Sequence, residues 1–166
     1  QQRIFLWVGG LDANKDPLCL LRALVGFQAK GQDFSAQLFF AKNDLENQVR
    51  DFIQEHGLQD RVFLRGRADN DALEAWYNAA DYFISCSHSE GSGIALSEAM
   101  ACGCVPIVSD IAPFRKMTAG SGALVFETGN PDSLLTQLLS LNSPPTEANR
   151  HRVKEAFDQQ VSFKAI

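Results

Sequence analysis

The sequence alternates short apolar segments with longer segments that carry helix start and stop signals. The apolar segments have the length of buried strands, and they lie at residues 4–8, 36–41, 62–64, 82–86, 105–108 and 123–126. Helices are predicted over residues 16–31, 45–56, 71–80, 94–102 and 130–141 and from 146 onward, with a loop around Pro113. Because strands that alternate with helices form parallel sheets, the sequence predicts an α/β fold in which helices cover both faces of a parallel sheet.

The loops that follow three of the strands are predicted to be neighbours. In a parallel sheet, ligands bind beyond the carboxyl ends of the strands, where the strand-to-helix loops gather. The three loops are residues 9–15, 41–44 and 87–93. Lys15 in the first loop is placed to set an ammonium group against a phosphate. The alternative is that Lys15 is an ordinary solvated loop lysine.

Two glutamates, Glu90 and Glu98, flank a Gly-Ser-Gly turn at residues 91–93. The helix predicted over 94–102 is apolar almost all round, which is typical of a buried helix, so Glu98 is predicted to be a buried carboxylate with a polar partner. The glycines let a ligand approach the backbone, and the helix N-terminus suits a phosphate. Two carboxylates beside N–H donors can bind a sugar nucleotide. An equally open alternative is that neither residue binds a ligand. Glu98 would then be a helix carboxylate with an ordinary hydrogen-bond partner, and Glu90 a solvated loop residue.

Composition and charge narrow the functional classes. The chain has 166 residues, of which 45% are hydrophobic and 21% charged, as expected for one globular domain with a sizeable core. The formal net charge of -5 argues against a nucleic-acid-binding surface. No apolar run is long enough to span a bilayer, and because a strand-like segment follows Gln1 directly, no signal peptide is expected. The sequence therefore predicts a protein without nucleic acid as a partner and without a transmembrane segment.

The cysteines are predicted to be small buried side chains in a reducing compartment rather than a disulfide framework. They are Cys19, Cys86, Cys102 and Cys104. The pair at 102 and 104 together with His88 matches no common zinc spacing, so no metal site is predicted.

Three segments, in this order, carry a resemblance to a known family. They are FLWVGGLDANKDP, DRVFLRGRADNDALEAWYNAADYFISCSHSEGSGIALSEAMACGCVPIVSD and GSGALVFETGNPDSL. The set resembles the carboxy-terminal, nucleotide-sugar-binding domain of retaining GT-B glycosyltransferases of family 4, the glycosyl transferases group 1. The resemblance implies the C-terminal half of a GT-B fold. Residues 1–145 would form a Rossmann-like nucleotide-sugar-binding domain, and residues 146–166 the start of a C-terminal helix truncated from the full-length enzyme.

The resemblance also implies roles for individual residues. Lys15 would neutralise the leaving diphosphate and Glu90 would contact the transferred sugar, as the catalytic pair. Glu98 would bind the ribose hydroxyls, and the loop backbone around residues 91–94 would face the sugar and diphosphate. The base would rest near residues 65–67, on main-chain groups. The implied nucleotide-binding residues are Glu98, Gly91, Gly93, Ile94, Arg65 and Gly66.

The same resemblance implies the substrate and the partner of the domain. The donor would be a UDP- or GDP-linked sugar, with no cofactor and no metal. The acceptor would bind an amino-terminal domain of the same full-length chain, so that the isolated domain transfers nothing. A cytoplasmic location is expected, with peripheral contact at the inner membrane face through the missing half.

Departures from the family pattern support an alternative. Gly10 stands where the family usually carries an arginine, Ser92 replaces an aromatic residue, residues 41–44 replace a glycine-rich turn, and Lys116 replaces a frequent glutamate. The alternative is a degenerate, non-catalytic domain that acts as a scaffold or partner surface. A dinucleotide-dependent dehydrogenase ranks behind both, because the first strand is followed by GGLDANK and not by G-x-G-x-x-G.

Overall fold

The computed structural model describes residues 2–141 and 144–164. Its sheet has the strands β1 (Arg3–Val8), β2 (Phe34–Phe39), β3 (Val62–Gly66), β4 (Tyr82–Ser85), β5 (Val105–Ser109) and β6 (Leu124–Phe126). Its helices are α1 (Pro17–Ala29), α2 (Glu46–Glu55), α3 (Asn70–Ala79), α4 (Ile94–Ala101), α5 (Ala112–Thr118), α6 (Pro131–Leu139) and α7 (Glu147–Lys164).

The strands form one sheet in the order β3-β2-β1-β4-β5-β6, and all neighbouring pairs are parallel. From β1 the chain moves outward to β2 and β3, and α3 then returns it to β4 on the other side of β1. Because such connections are right-handed, α1 and α2 cover one face while α3, α4 and α5 cover the other. Helix α6 packs on α1, and α7 packs on α4 and α5. The predicted parallel sheet with two helical layers is confirmed.

Aromatic side chains hold the centre of the sheet together. The ring of Phe5 lies 5.8 Å from that of Phe27, 5.9 Å from that of Phe34 and 6.1 Å from that of Tyr82. All four side chains are buried, and tilted ring pairs at such distances add stability beyond their buried area. The cluster therefore joins β1, β2, β4 and α1, and it fixes the strands whose ends carry the loops described below.

The C-terminal helix α7 belongs to this core. Its Val153 and Ala156 are buried, and Arg150 donates a hydrogen bond of 3.0 Å to the carbonyl of Ala80. The sequence predicts a domain boundary after residue 145. Positions 142–143, just before it, lie outside the described residues, and the boundary stays a prediction.

The segment around Pro113, which was predicted to be a loop, forms a helix. Helix α5 covers Ala112–Thr118, where a loop around Pro113 was expected. Pro113 lies in the first turn, where a proline removes no intrahelical hydrogen bond and its fixed φ suits the helix. The loop prediction is wrong because a proline interrupts a helix only beyond that turn.

Helix α4 is buried on one side only. Leu96, Ala99 and Met100 are buried, whereas Ile94 is 62% exposed and Glu98 is also exposed. The prediction of a buried carboxylate at Glu98 is therefore wrong. A helix with apolar residues on all sides could be buried completely. Helix α4 instead lies in an outer layer of the domain, and the side that carries positions 94 and 98 faces solvent.

The central aromatic cluster yields a stability prediction. Phe5→Ala is expected to lower the free energy of unfolding by about 3–5 kcal/mol, because it removes a large buried side chain and leaves a cavity. Val161→Ala, at a position that is 49% exposed on α7, is the control and is expected to change it by less than about 0.5 kcal/mol. Urea unfolding of both variants measures the difference. Equal effects of the two substitutions would contradict the role of the cluster.

Candidate functional site

The loop after β1 and the loop after β4 are joined side chain to side chain. The side-chain amide oxygen of Asn14 accepts hydrogen bonds from the backbone N–H of Ser89 at 3.0 Å and from its hydroxyl at 2.9 Å, and the Asn14 amide nitrogen donates to the Ser89 carbonyl at 3.1 Å. The carboxylate of Asp16 lies 2.8 Å from Nε2 of His88. Backbone supports the junction, since His88 N–H donates to the Asn14 carbonyl. The two loops therefore form one unit at the point between β1 and β4 where the strand order of the sheet reverses.

The predicted catalytic pair lies inside this junction. The ammonium of Lys15 is 2.7 Å from Oε2 of Glu90, and the two side chains are 28% and 14% exposed. Both line a small cavity that also includes Gly93 and Phe114. At this distance the ion pair is also a charge-assisted hydrogen bond, in which the ammonium donates to the carboxylate. The structure thus brings together two residues that lie 75 positions apart in the chain.

Gly93 places helix α4 against this pair. It is the N-cap of α4 and has φ 62°, in the left-handed region that favours glycine. A Cβ at this position would lie 2.6 Å from the sulfur of Met117 on α5. The left-handed turn favours glycine here, whereas the Met117 side chain could move aside, and the helix start that follows offers N–H groups and a positive dipole end.

The loop after β2 closes a third side of the site. Leu11 N–H donates to the Lys42 carbonyl at 2.8 Å, so the first and second loops are also in contact. The Lys42 ammonium lies 3.8 Å from the carboxylate of Asp12 and 3.4 Å from that of Asp44. A Cβ on Gly10 would lie 2.8 Å from Asp12 Oδ2 and 3.1 Å from Lys42 Cβ. Asp12 and Lys42 therefore fill the space beside Gly10.

A cavity of about 340 Å³ lies beyond the ends of β1, β2 and β3. Its lining includes Gly10, Lys42, Gly66 and Arg67. The side chain of Arg65 is engaged away from it, since its Nε donates to Gln37 Oε1 at 2.7 Å. Of the predicted base-contact segment, Gly66 and Arg67 thus line the cavity.

Glu98 lies in a second groove, between α3 and α4. This cavity of about 390 Å³ is lined by Asn70, Glu74, Tyr77, Glu98, Ala101 and Cys102. Helix α3 is a wall of both cavities, because its Leu73 lines the first one. The structure therefore unites Lys15, Glu90 and Gly93, and it places Glu98 in a neighbouring groove.

Tyr77 lines this groove, and no sequence motif assigns it a functional role. Its side chain is 2% exposed, and its hydroxyl oxygen is buried with no hydrogen-bond partner among the described residues. Burial, and next the negative charge of Glu98, raise the pKa of Tyr77. The sequence signal was limited to the Trp76-Tyr77 pair in the helix before β4.

Two properties of the described residues bear on membranes and metals. Within residues 2–141 and 144–164, no helix is both long and apolar enough to cross a membrane. In the same ranges no group of three or more histidine, cysteine, aspartate or glutamate side chains is arranged to hold a metal ion.

Comparison with known proteins defines the class. The model of the family "Glycosyl transferases group 1" matches residues 1–159. A GDP-mannose:cellobiosyl-diphosphopolyprenol alpha-mannosyltransferase of Xanthomonas oryzae pv. oryzae is 36% identical over 99% of this chain and 44% of its own length. A D-inositol 3-phosphate glycosyltransferase of Thermobispora bispora is 27% identical over 86% of this chain and 36% of its own length. The chain thus spans less than half the length of these curated relatives.

Solved structures agree on the fold. The C-terminal domain of a glycosyl transferase group 1 family protein (LpcC) from Francisella tularensis superposes with a TM-score of 0.78 at 20% identity, over 98% of this chain and 86% of that one. The pneumococcal O-GlcNAc transferase GtfA, in complex with UDP and GlcNAc, has a TM-score of 0.77 at 20% identity, over 93% of this chain and 32% of that one.

The fold and the matched segment define a Rossmann-like α/β domain of the glycosyltransferase class. This chain belongs to the glycosyl transferases group 1, and it corresponds to the C-terminal domain of their GT-B fold.

The geometry of the turn before α4 yields a prediction. Gly93→Ala is expected to lower the free energy of unfolding by about 1–2 kcal/mol, because alanine is strained at a left-handed φ. Gly91→Ala is the matched control, since a Cβ there has no neighbour within 4 Å, and its effect is expected to stay within about 0.5 kcal/mol. Thermal unfolding of the two variants measures the difference. A Gly93→Ala variant as stable as Gly91→Ala would refute the strain argument.

Proposed function

We propose that this domain binds the nucleotide-sugar donor of a retaining glycosyltransferase of the hexosyl-transferring type. The observation that carries the proposal is the Lys15–Glu90 pair of 2.7 Å, which lies between β1 and β4 and beside the start of α4. Ligands of open α/β sheets bind where the strand order reverses. The acceptor would bind the other half of the full-length enzyme, and the isolated domain would transfer nothing.

The diphosphate is assigned to the space between Lys15 and the start of α4. An ammonium and a helix N-terminus both favour a negative group at this point. Glu90 would accept hydrogen bonds from hydroxyls of the transferred sugar, because a carboxylate offers only acceptors. As the donor bond breaks, Lys15 would stabilise the charge that develops on the leaving diphosphate. Backbone groups of Gly91, Gly93 and Ile94 would face the same ligand.

The nucleoside is assigned to the cavities on the two sides of α3. Gly66 and Arg67 line the first cavity and would contact the base, with Arg65 supporting the segment through Gln37. Glu98 lines the second groove and, although exposed, would accept hydrogen bonds from the ribose hydroxyls. GDP-mannose appears in the name of the 36% identical relative, and UDP is bound in the GtfA complex. A GDP- or UDP-linked sugar is therefore the proposed donor.

A titration with nucleotides tests this proposal. GDP, UDP or ADP is added to the domain, and the midpoint of thermal unfolding, Tm, is measured for each. A nucleotide at a hundred times its dissociation constant stabilises the fold by about 2.7 kcal/mol, which raises Tm by roughly 5–10 °C. No shift with any of the three at millimolar concentration, nor with their sugar conjugates, would refute donor binding.

The ribose assignment is tested by two carboxylates in the same groove. Glu98→Ala is expected to abolish the nucleotide-induced shift, because the ribose loses its acceptor, while the Tm without nucleotide is unchanged. Glu74→Ala is the matched control, since Glu74 is also exposed and lines the same cavity, and it is expected to keep the shift. Unchanged affinity in Glu98→Ala would refute the assignment.

The ion pair makes two opposite predictions. Lys15→Met is expected to weaken GDP binding about 10- to 100-fold, because a charge-assisted contact to the diphosphate is lost. Glu90→Gln is expected to strengthen binding of GDP by roughly threefold or more, because it removes a like charge and frees the Lys15 ammonium from its partner. The same Glu90→Gln variant should weaken selectivity for GDP-sugar over GDP. Calorimetric titration measures both, and weakening of GDP binding by both variants would contradict the assigned roles.

A second candidate is a domain that binds no donor and serves as a scaffold or partner surface. Its support is the filled space beside Gly10, where Asp12 and Asp44 already neutralise Lys42. The nucleotide titration separates the two candidates, because a scaffold would show no shift.

A further inference from the structure

The starting observation is a polar atom in the wall of the α3–α4 groove. Tyr77 is almost fully buried, and its hydroxyl oxygen has no hydrogen-bond partner among the described residues. A buried hydroxyl without a partner is unfavourable, and native proteins rarely leave one so. The nucleotide-binding contacts proposed above make no use of this hydroxyl.

The geometry of the groove points to Glu98 as the intended partner. Glu98 and Tyr77 line the same cavity. Among the charged groups that act on the Tyr77 hydroxyl, the carboxylate of Glu98 has the largest effect, both through its charge and as a hydrogen-bond acceptor, although the two groups do not reach the geometry of a formed hydrogen bond. A phenol can donate one hydrogen bond, and an ionised carboxylate can only accept. The two groups are therefore chemically complementary.

The two side chains differ in their freedom of movement. The ring of Tyr77 packs against Phe83 of β4, with ring centroids 6.3 Å apart, so the hydroxyl is held in place by the sheet. Glu98 is exposed on the outer side of α4 and has three rotatable side-chain bonds. A fixed donor beside a mobile acceptor can select one rotamer of the carboxylate.

We propose that Tyr77 is a positioning residue for Glu98, whose hydroxyl donates to the Glu98 carboxylate when a nucleotide ribose occupies the groove. The inference rests on the proposed function, because it concerns the same ribose contact. Tyr77 acts through Glu98 and not on the ligand itself, since its hydroxyl oxygen is buried beneath the groove surface. Glu98 would then use one oxygen for Tyr77 and keep the other for the ribose hydroxyls.

The experiment compares ribose and deoxyribose ligands. Dissociation constants of GDP, UDP and their 2′,3′-dideoxy forms are measured by calorimetry for the wild-type protein and for Tyr77→Phe. The variant is expected to lose roughly tenfold in affinity for the ribonucleotide that binds and little for its dideoxy form. Its Tm without ligand should be equal or higher, because an unsatisfied hydroxyl is removed while the ring stays.

Two controls make the result specific. Tyr82→Phe removes the hydroxyl of the other tyrosine, which lies on β4 beside Phe5, and it should keep the ribose selectivity. In a Glu98→Met background, which offers the Tyr77 hydroxyl no carboxylate acceptor, Tyr77→Phe should have little further effect on that selectivity, because coupled residues are not additive.

The possible outcomes test the positioning role of Tyr77 separately from nucleotide binding by the domain. Equal losses for the ribose and dideoxy ligands in Tyr77→Phe, or unchanged ribose selectivity, would overturn the positioning role while donor binding stands. Absence of binding by the wild-type protein would overturn the proposed function and this inference with it.

Discussion

The junction between the loops after β1 and β4 is the feature on which the site depends. Asn14, Lys15 and Asp16 contact Ser89, Glu90 and His88 in turn, so consecutive residues of one loop meet consecutive residues of the other. These contacts exist because β4 returns to the side of β1 that β2 does not occupy. The aromatic cluster around Phe5 fixes the two strands, and the junction then fixes the turn that starts α4.

Charge balance at this edge has a consequence for binding. Lys15 is paired with Glu90, and Lys42 with Asp12 and Asp44. An anionic ligand at either lysine would therefore bind by exchange of partners, so that its affinity would depend on the nearby carboxylates as well as on the lysines. Glu98 contributes from the other side of α3, so the proposed nucleotide would extend over α3 from one cavity to the next.

Sequence patterns predicted the strands well, because each is a local run of apolar residues, and they also predicted the helices α1 to α4 between the strands. They failed at α5, where Pro113 lies in a first turn, and at Glu98, where an apolar helix lies in an outer layer with one side in solvent. They gave no functional role to Tyr77, because a tyrosine next to a tryptophan on a helix is ordinary core composition. The buried hydroxyl is a property of packing and not of residue order.

The sequence by itself determined the parallel α/β architecture, the family, and the residue types that are available for binding, because these depend on local periodicity and on ordered motifs. Only the tertiary structure decided which of these residues meet. Lys15 and Glu90 are paired because the strand order reverses between β1 and β4, and Glu98 shares a groove with Tyr77 because α3 crosses back beside α4. Contacts over such separations depend on how the layers pack, which no local pattern specifies.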